Sequence, residues 1–95
     1  MFGNISQLLE VKKKADELKA RLETITVTET TGGITIDCNG NRKILAIHID
    51  TNEMADKNRL EEHLTEAMNK ALEAAERASM KEVGAIAGGM GLFGK

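Results

Sequence analysis

Apolar and polar positions alternate with two different periods along this chain, and the change of period marks its elements. From Asn4 to about Glu23, Leu8, Val11, Ala15, Leu18 and Leu22 recur at alternating spacings of three and four, and Ile25 extends the register. That spacing lines one face of a helix, with Leu8 at position a of a heptad. At about 1.5 Å per residue the helix is roughly 30 Å long, so it is expected to project from a globule of this size. From Thr24 to Asp50 the period falls to two. Thr26, Thr28 and Thr30 alternate with Ile25, Val27 and Glu29; Ile34, Ile36 and Cys38 alternate with Thr35 and Asp37. Leu45, Ile47 and Ile49 then alternate with Ile44, Ala46 and His48. Branched side chains at period two predict strands. The Gly32-Gly33 and Asn39-Gly40 pairs between them suit tight turns with positive φ, so the strands form an antiparallel meander.

A second helix is predicted from about Lys57 to Val83, where Leu60, Leu64, Ala67, Ala71, Ala74 and Ala78 repeat at four and three. Met68 and Ala75 widen that stripe, and its alanines allow close approach of another element. Asp56 is a candidate cap, as is Asn58 with Glu61 as return partner in a capping box. From Gly84 onward five glycines raise the entropic cost of regular structure. The expectation is an α+β fold of helix, three-stranded antiparallel meander and long helix. One domain would span 1–83, followed by a flexible Gly-rich tail over 84–95.

Composition adds a partner to this picture. The chain has 95 residues, 41% of them apolar, with no Trp or Tyr and only Phe2 and Phe93 as aromatics. Its core is therefore aliphatic and thin, and a chain of this size buries only about two-thirds of its unfolded surface. Long amphipathic helices over so small a core need cover for their apolar faces. A homodimer is expected.

Charge narrows the function classes without deciding among them. The net charge is −2, with seven basic and six acidic residues up to His48 and six basic and nine acidic after it. Neither half is a basic tail of the kind that marks many nucleic-acid binders. One cysteine, Cys38, allows no internal disulfide and fits a reducing compartment. The N-terminus lacks signal-peptide features and no run approaches membrane-spanning length, so a cytoplasmic protein without a membrane partner is expected.

Candidate chemistry is sparse. Gly89, Gly94 and Lys95 match part of a phosphate-binding loop, but no strand precedes them and neither a Ser or Thr nor a helix follows. His48 and His63 are isolated and lack a second metal ligand at a recognised spacing. His63 reads as a solvated helix residue and Cys38 as a small buried hydrophobe. No catalytic residue, metal, cofactor or small-molecule substrate is expected.

The charge pattern on the helices says more. Lys12, Lys14, Lys19 and Arg21 flank the first heptad seam at e and g, with Lys13 beside them, while Glu10, Asp16, Glu17 and Glu23 lie at b and c. In the second helix His63, Lys70 and Arg77 form one row. Stripes of this kind can turn basic rows toward phosphates and acids away. They also fit intrahelical pairs in which Glu10, Glu17, Glu66 and Glu73 each precede Lys14, Arg21, Lys70 and Arg77 by one turn, which makes a plain solvated face. All-basic flanks disfavour pairing of the first helix with its own copy.

The order of these features resembles the YbaB/EbfC family of bacterial nucleoid-associated proteins. The resemblance is carried by Met1-Phe2-Gly3, the heptad helix, and the Gly32-Gly33 turn before Ile34 and Ile36. It continues through Gly40, the Ile44, Ile47 and Ile49 run ending at Asp50, the Ala-rich helix and Gly89-Met90. It covers nearly the whole chain, through diffuse motifs. What it implies is a tweezer-like homodimer with helical arms that binds double-stranded DNA with little or loose sequence preference, alters its conformation and resides in the nucleoid. Two departures stand out: Thr51 follows Asp50 where relatives often have Pro, and the lysine cluster stands where relatives are commonly Gln- and Met-rich.

On that reading Lys12, Lys13, Lys14, Lys19 and Arg21 would neutralise phosphates, with Arg42 and Lys43 beside the second turn as weaker candidates. With no aromatics in the folded region, base stacking is not expected, and contact should be to the duplex backbone and shape. The competing reading is a dimeric protein-interaction module that docks a partner helix on the wide stripe of the second helix.

Overall fold

A computed structural model describes residues 3–89. Helix α1 spans Gly3–Glu23, strands β1, β2 and β3 span Thr26–Thr31, Ile34–Asn39 and Ile44–Ile49, and helix α2 spans Lys57–Gly89. One 3-10 turn, Thr51–Ala55, joins β3 to α2. The three strands form an antiparallel meander in the order β1-β2-β3. This is the expected α+β architecture. The molecule is elongated, 64 Å in its longest dimension and 21 Å in the next.

The core is the contact between α2 and one face of β2. Ile34, Ile36 and Cys38 are fully buried there against Ala67, Ala71 and Ala75 of α2. Period two sends Ile34, Ile36 and Cys38 to the same side of the strand, and the small alanines let the helix axis come close. Burial of each isoleucine contributes about 1.5–3 kcal/mol. Val27, Leu60, Leu64, Met68 and Leu72 pack around this centre. Burial also pushes the Cys38 thiol up from its ordinary pKa, which leaves it a packing residue.

Both turns depart in detail from the simple hairpin expectation. Between β1 and β2, Gly32 takes a left-handed φ of 56°. Between β2 and β3 it is Arg42, not Gly40, that adopts positive φ, at 65°. The Asn39 side chain explains this: its Oδ1 accepts from the backbone N–H of Asn41 at 2.9 Å and of Lys43 at 3.0 Å, closing a longer turn. Gly40 is required for space, because a Cβ there would lie 2.9 Å from the carbonyl oxygen of Leu22.

A register shift at Asp37/Cys38 pairs Cys38 with Ile44 and Asp37 with Ala46, which leaves Leu45 as the bulged residue. Simple alternation groups Ile44 with Ala46 and His48; the bulge instead turns it to the core.

Helix α2 starts where the sequence indicates. Asp56 is the cap, accepting from the Arg59 N–H at 3.1 Å. Its end is different. The helix does not stop at Val83 but runs through Gly84 to Gly89, so the expected start of a tail falls inside it. Gly84 costs about 1 kcal/mol relative to Ala. Ile86 offsets that cost: it is half-buried and shares a groove with Glu17 and Arg21 of α1. The remainder of the expected tail, 90–95, lies outside the described residues.

Candidate nucleic-acid interface

The basic residues of α1 lie on an arm that is only partly packed. Leu22 is buried and Leu18 half-buried at its base, whereas Val11 and Leu8 farther out are exposed. At 100° per residue, Lys12 and Lys19 fall on one flank of the apolar stripe, Lys14 and Arg21 on the other, and Lys13 on the back. Three of the five have acidic partners: Lys12 with Asp16 at 3.1 Å, Lys14 with Glu17 at 3.5 Å, and Arg21 with Glu82 of α2. These differ from the pairs that spacing suggests. Arg21 reaches Glu82 rather than Glu17, and Lys70 donates to the carbonyl of Thr30 at 2.9 Å rather than pairing with Glu66. In both cases a tertiary partner replaces the neighbour one turn away.

Arg42 and Lys43 are brought to the base of the same arm. Asn41 Nδ2 donates to the Lys19 carbonyl at 3.1 Å, and Gly40 N donates to the Leu22 carbonyl at 2.9 Å. These bonds cap the C-terminal end of α1 with the β2–β3 turn, so Lys19, Arg42 and Lys43 belong to one corner of the molecule. Arg42 also borders a groove with Glu73 and Glu76 of α2, which tempers the positive potential on that side. The seven candidates therefore divide into a basic corner, an outer arm carrying Lys12, Lys13 and Lys14, and Arg21 leaning on α2.

Two other features escaped the sequence reading. Glu53, 4% exposed, accepts from the Gly33 N–H at 3.0 Å, and His63 Nδ1 lies 2.9 Å from its Oε1. Because a carboxylate only accepts, the His63 ring proton sits on Nδ1. His63 is thus a half-buried tether between α2 and the β1–β2 turn, not a solvated helix residue. Nothing in residue spacing links Glu53 to His63, since the link exists only once the 3-10 turn has folded under Gly33. The second feature is apolar. Ile47 and Ile49 pair with Ile36 and Ile34, on the core face of the sheet, yet they are 45% and 42% exposed because α2 covers mainly β1 and β2. Leu45 on the bulge is exposed as well.

Among the described residues no group of three or more His, Cys, Asp and Glu is arranged to hold a metal ion. No described helix is long and apolar enough to cross a membrane.

Comparison with known proteins decides the family. The model of the YbaB/EbfC DNA-binding family matches residues 1–90. The chain belongs to the YbaB/EbfC family. It is 33% identical over 89 residues to a nucleoid-associated protein of Flavobacterium johnsoniae, an alignment covering 92% of this chain and 84% of that one. It is 34% identical over 92 residues to a nucleoid-associated protein of Chlorobaculum tepidum, covering 94% and 83% of the two chains. A nucleoid-associated protein of Campylobacter fetus is 32% identical over 96 residues, covering 98% and 93%. The crystal structure of an uncharacterized Helicobacter pylori protein superposes with a TM-score of 0.79 at 21% identity, covering 90% of this chain and 96% of that one, and shows the same fold.

The YbaB/EbfC assignment also gives the Asp50-Thr51 departure a physical setting. Asp50 caps the 3-10 turn, its side chain accepting from Asn52 N–H, and Thr51 occupies the first position after the cap. That position favours Pro but does not need it, because its N–H has no partner within the turn.

Proposed function

We propose that this YbaB/EbfC protein is a homodimer that binds double-stranded DNA through its backbone, with little or loose sequence preference, alters its conformation and acts in the nucleoid. The observation that carries the DNA reading is the match to a DNA-binding family over nearly the whole chain. The surface assigned to it is the basic face of α1 and the β2–β3 turn. Lys19, Arg42 and Lys43 at the base of the arm, with Lys12, Lys13 and Lys14 farther out, can follow successive phosphates. Arg21 contributes when it exchanges Glu82 for a phosphate. The described residues include no aromatic side chain to stack on a base. Contact is therefore electrostatic and reads the backbone.

The dimer reading rests on β3. It is an edge strand with Leu45, Ile47 and Ile49 exposed, an arrangement that monomeric proteins ordinarily avoid. Joining two copies along this edge extends both sheets and covers the isoleucines. It also places two arms on one particle, which raises avidity for a long polyanion.

The test is a fluorescence-anisotropy titration of a labelled duplex with wild type and with Lys19→Gln/Arg42→Gln/Lys43→Gln. The variant is expected to bind roughly tenfold more weakly or worse, with wild-type affinity similar for unrelated duplex sequences. Unchanged affinity of the variant contradicts the assigned surface. One observation favours the alternative of a protein-interaction module: Lys12, Lys14 and Arg21 are already engaged with acids in a chain of net charge −2. That reading predicts no duplex binding at physiological salt.

A further inference from the structure

The face of the sheet turned away from α2 carries a polar group that DNA binding leaves unused. Period two puts Thr28, Asp37, Ala46 and His48 on this face, opposite the buried Ile34, Ile36 and Cys38. Asp37 stands between the other two polar residues. Its Oδ1 accepts from the Thr28 hydroxyl at 2.8 Å, and its Oδ2 lies 3.5 Å from His48 Nε2. His48 is exposed on the edge strand β3, and the residue beside Asp37 in the ladder is the small Ala46. One carboxylate and one imidazole fall short of the ligands that a transition-metal ion takes from protein.

The free edge of β3 fixes how a second copy adds its own pair. The Asp50 N–H donates to the Gly33 carbonyl at 2.8 Å, so the backbone groups of Asp50 face β2. Direction alternates along an antiparallel ladder, so those of Ile49 and Ile47 face the open edge. The exposed apolar residues Leu45, Ile47 and Ile49 are symmetric about Ile47. A two-fold interface is self-complementary. The register that satisfies both patterns sets Ile47 opposite the partner's Ile47, and Ile49 opposite the partner's Leu45. On the polar face the same register sets His48 opposite the partner's Ala46. The two His48 residues are then diagonal neighbours across the two-fold, about 7–8 Å apart. The alanines leave room beside them, and an Asp37 flanks the pair on each side.

We propose, resting on the β3-edge dimer described above, that His48 and Asp37 from each of two chains form a binding site for a divalent transition-metal ion at the two-fold. Two imidazoles and two carboxylates make a four-ligand set of the kind that Zn2+ takes in a tetrahedron. Thr28 holds one oxygen of each carboxylate and leaves the other for the ion. Neither chain completes the site alone, so metal binding and dimer formation stabilise each other.

The test uses the full chain in analytical ultracentrifugation, at concentrations around the dimer dissociation constant, with EDTA or with Zn2+ at one ion per two chains. For wild type, Zn2+ is expected to lower the dissociation constant at least roughly tenfold. His48→Ala and Asp37→Asn are expected to dimerise as wild type does in EDTA and to gain nothing from Zn2+. A wild-type dimer unmoved by Zn2+, or an equal gain in either variant, overturns the metal site and leaves the dimer standing. A chain that stays monomeric under every condition contradicts the dimer itself, and the site with it. The register is tested separately, in a Cys38→Ala background under mild oxidation. Ile47→Cys is expected to cross-link two chains much faster than Ile49→Cys, because residue 47 faces its own copy and residue 49 does not. Equal or reversed rates overturn the register and the site built on it.

Discussion

Two residues hold the β1–β2 turn in place, and both make measurable predictions. Gly32 sits at φ 56° with the His63 ring directly over the position a Cβ would take. Gly32→Ala is expected to cost about 1–2 kcal/mol from the backbone alone, and more once His63 is displaced, read as a lower urea midpoint at constant slope. Glu53 beneath it is held below the usual carboxylate range, chiefly by the Gly33 N–H and then by His63 and Arg59, against an opposing effect of burial. A carboxylate whose folded pKa is depressed stabilises the fold fully above its unfolded value, about 4.3, and loses that contribution as pH falls through the folded value. Wild type is therefore expected to weaken on the acid side more steeply than Glu53→Gln, which starts from a lower midpoint at neutral pH. Urea melts across pH 3–7 check this, and parallel curves for the two proteins would remove Glu53 from the account. None of this was visible in the sequence: Glu53 and His63 lie ten positions apart, on different elements, and look like two ordinary polar residues.

At the level of elements, the alternating runs and the alanine stripe were readable because burial on one face imposes its period on the sequence. Ile34, Ile36 and Cys38 at period two, against Ala67, Ala71 and Ala75 at helical spacing, are the core that the structure shows. Ala71 is fully buried in this core, and Ala71→Leu is expected to cost about 1–3 kcal/mol through overpacking, measured by chemical denaturation. The bulge at Leu45 was not readable, because alternation cannot show where one strand carries an extra residue. The extension of α2 past Val83 was missed because glycine propensity was weighed without the half-burial of Ile86 beside the groove it shares with α1. The seven basic candidates were legible as residue types, but their grouping was not. Asn41 and Gly40 must first bind the carbonyls of Lys19 and Leu22 before Arg42 and Lys43 join the arm. On β3, Ile47→Lys with Ile49→Lys is expected to yield a monomer by light scattering without loss of helix or sheet signal. A variant that stays dimeric would move the interface elsewhere.

For the whole molecule, an elongated body with a basic corner, a partly paired basic arm and an apolar sheet edge fits a dimer that grips a long polyanion despite a net charge of −2. The acids are unevenly placed: Asp16, Glu17 and Glu82 pair with three of the arm's cations and Glu73 and Glu76 border Arg42, whereas Glu61, Glu62 and Glu66 line another surface of α2. The central claim is that the dimer holds duplex DNA by phosphate contacts from α1 and the β2–β3 turn. Its most direct test is the salt dependence of duplex affinity for wild type and for a variant with Lys12, Lys13, Lys14, Lys19, Arg21, Arg42 and Lys43 all changed to Gln. Wild type is expected to lose affinity steeply, with a log–log slope of about −0.9 per phosphate contacted. The variant should bind weakly, with a slope shallower by about one for each contact removed. Affinity that is flat with salt, or an equal slope in the two proteins, would contradict the account.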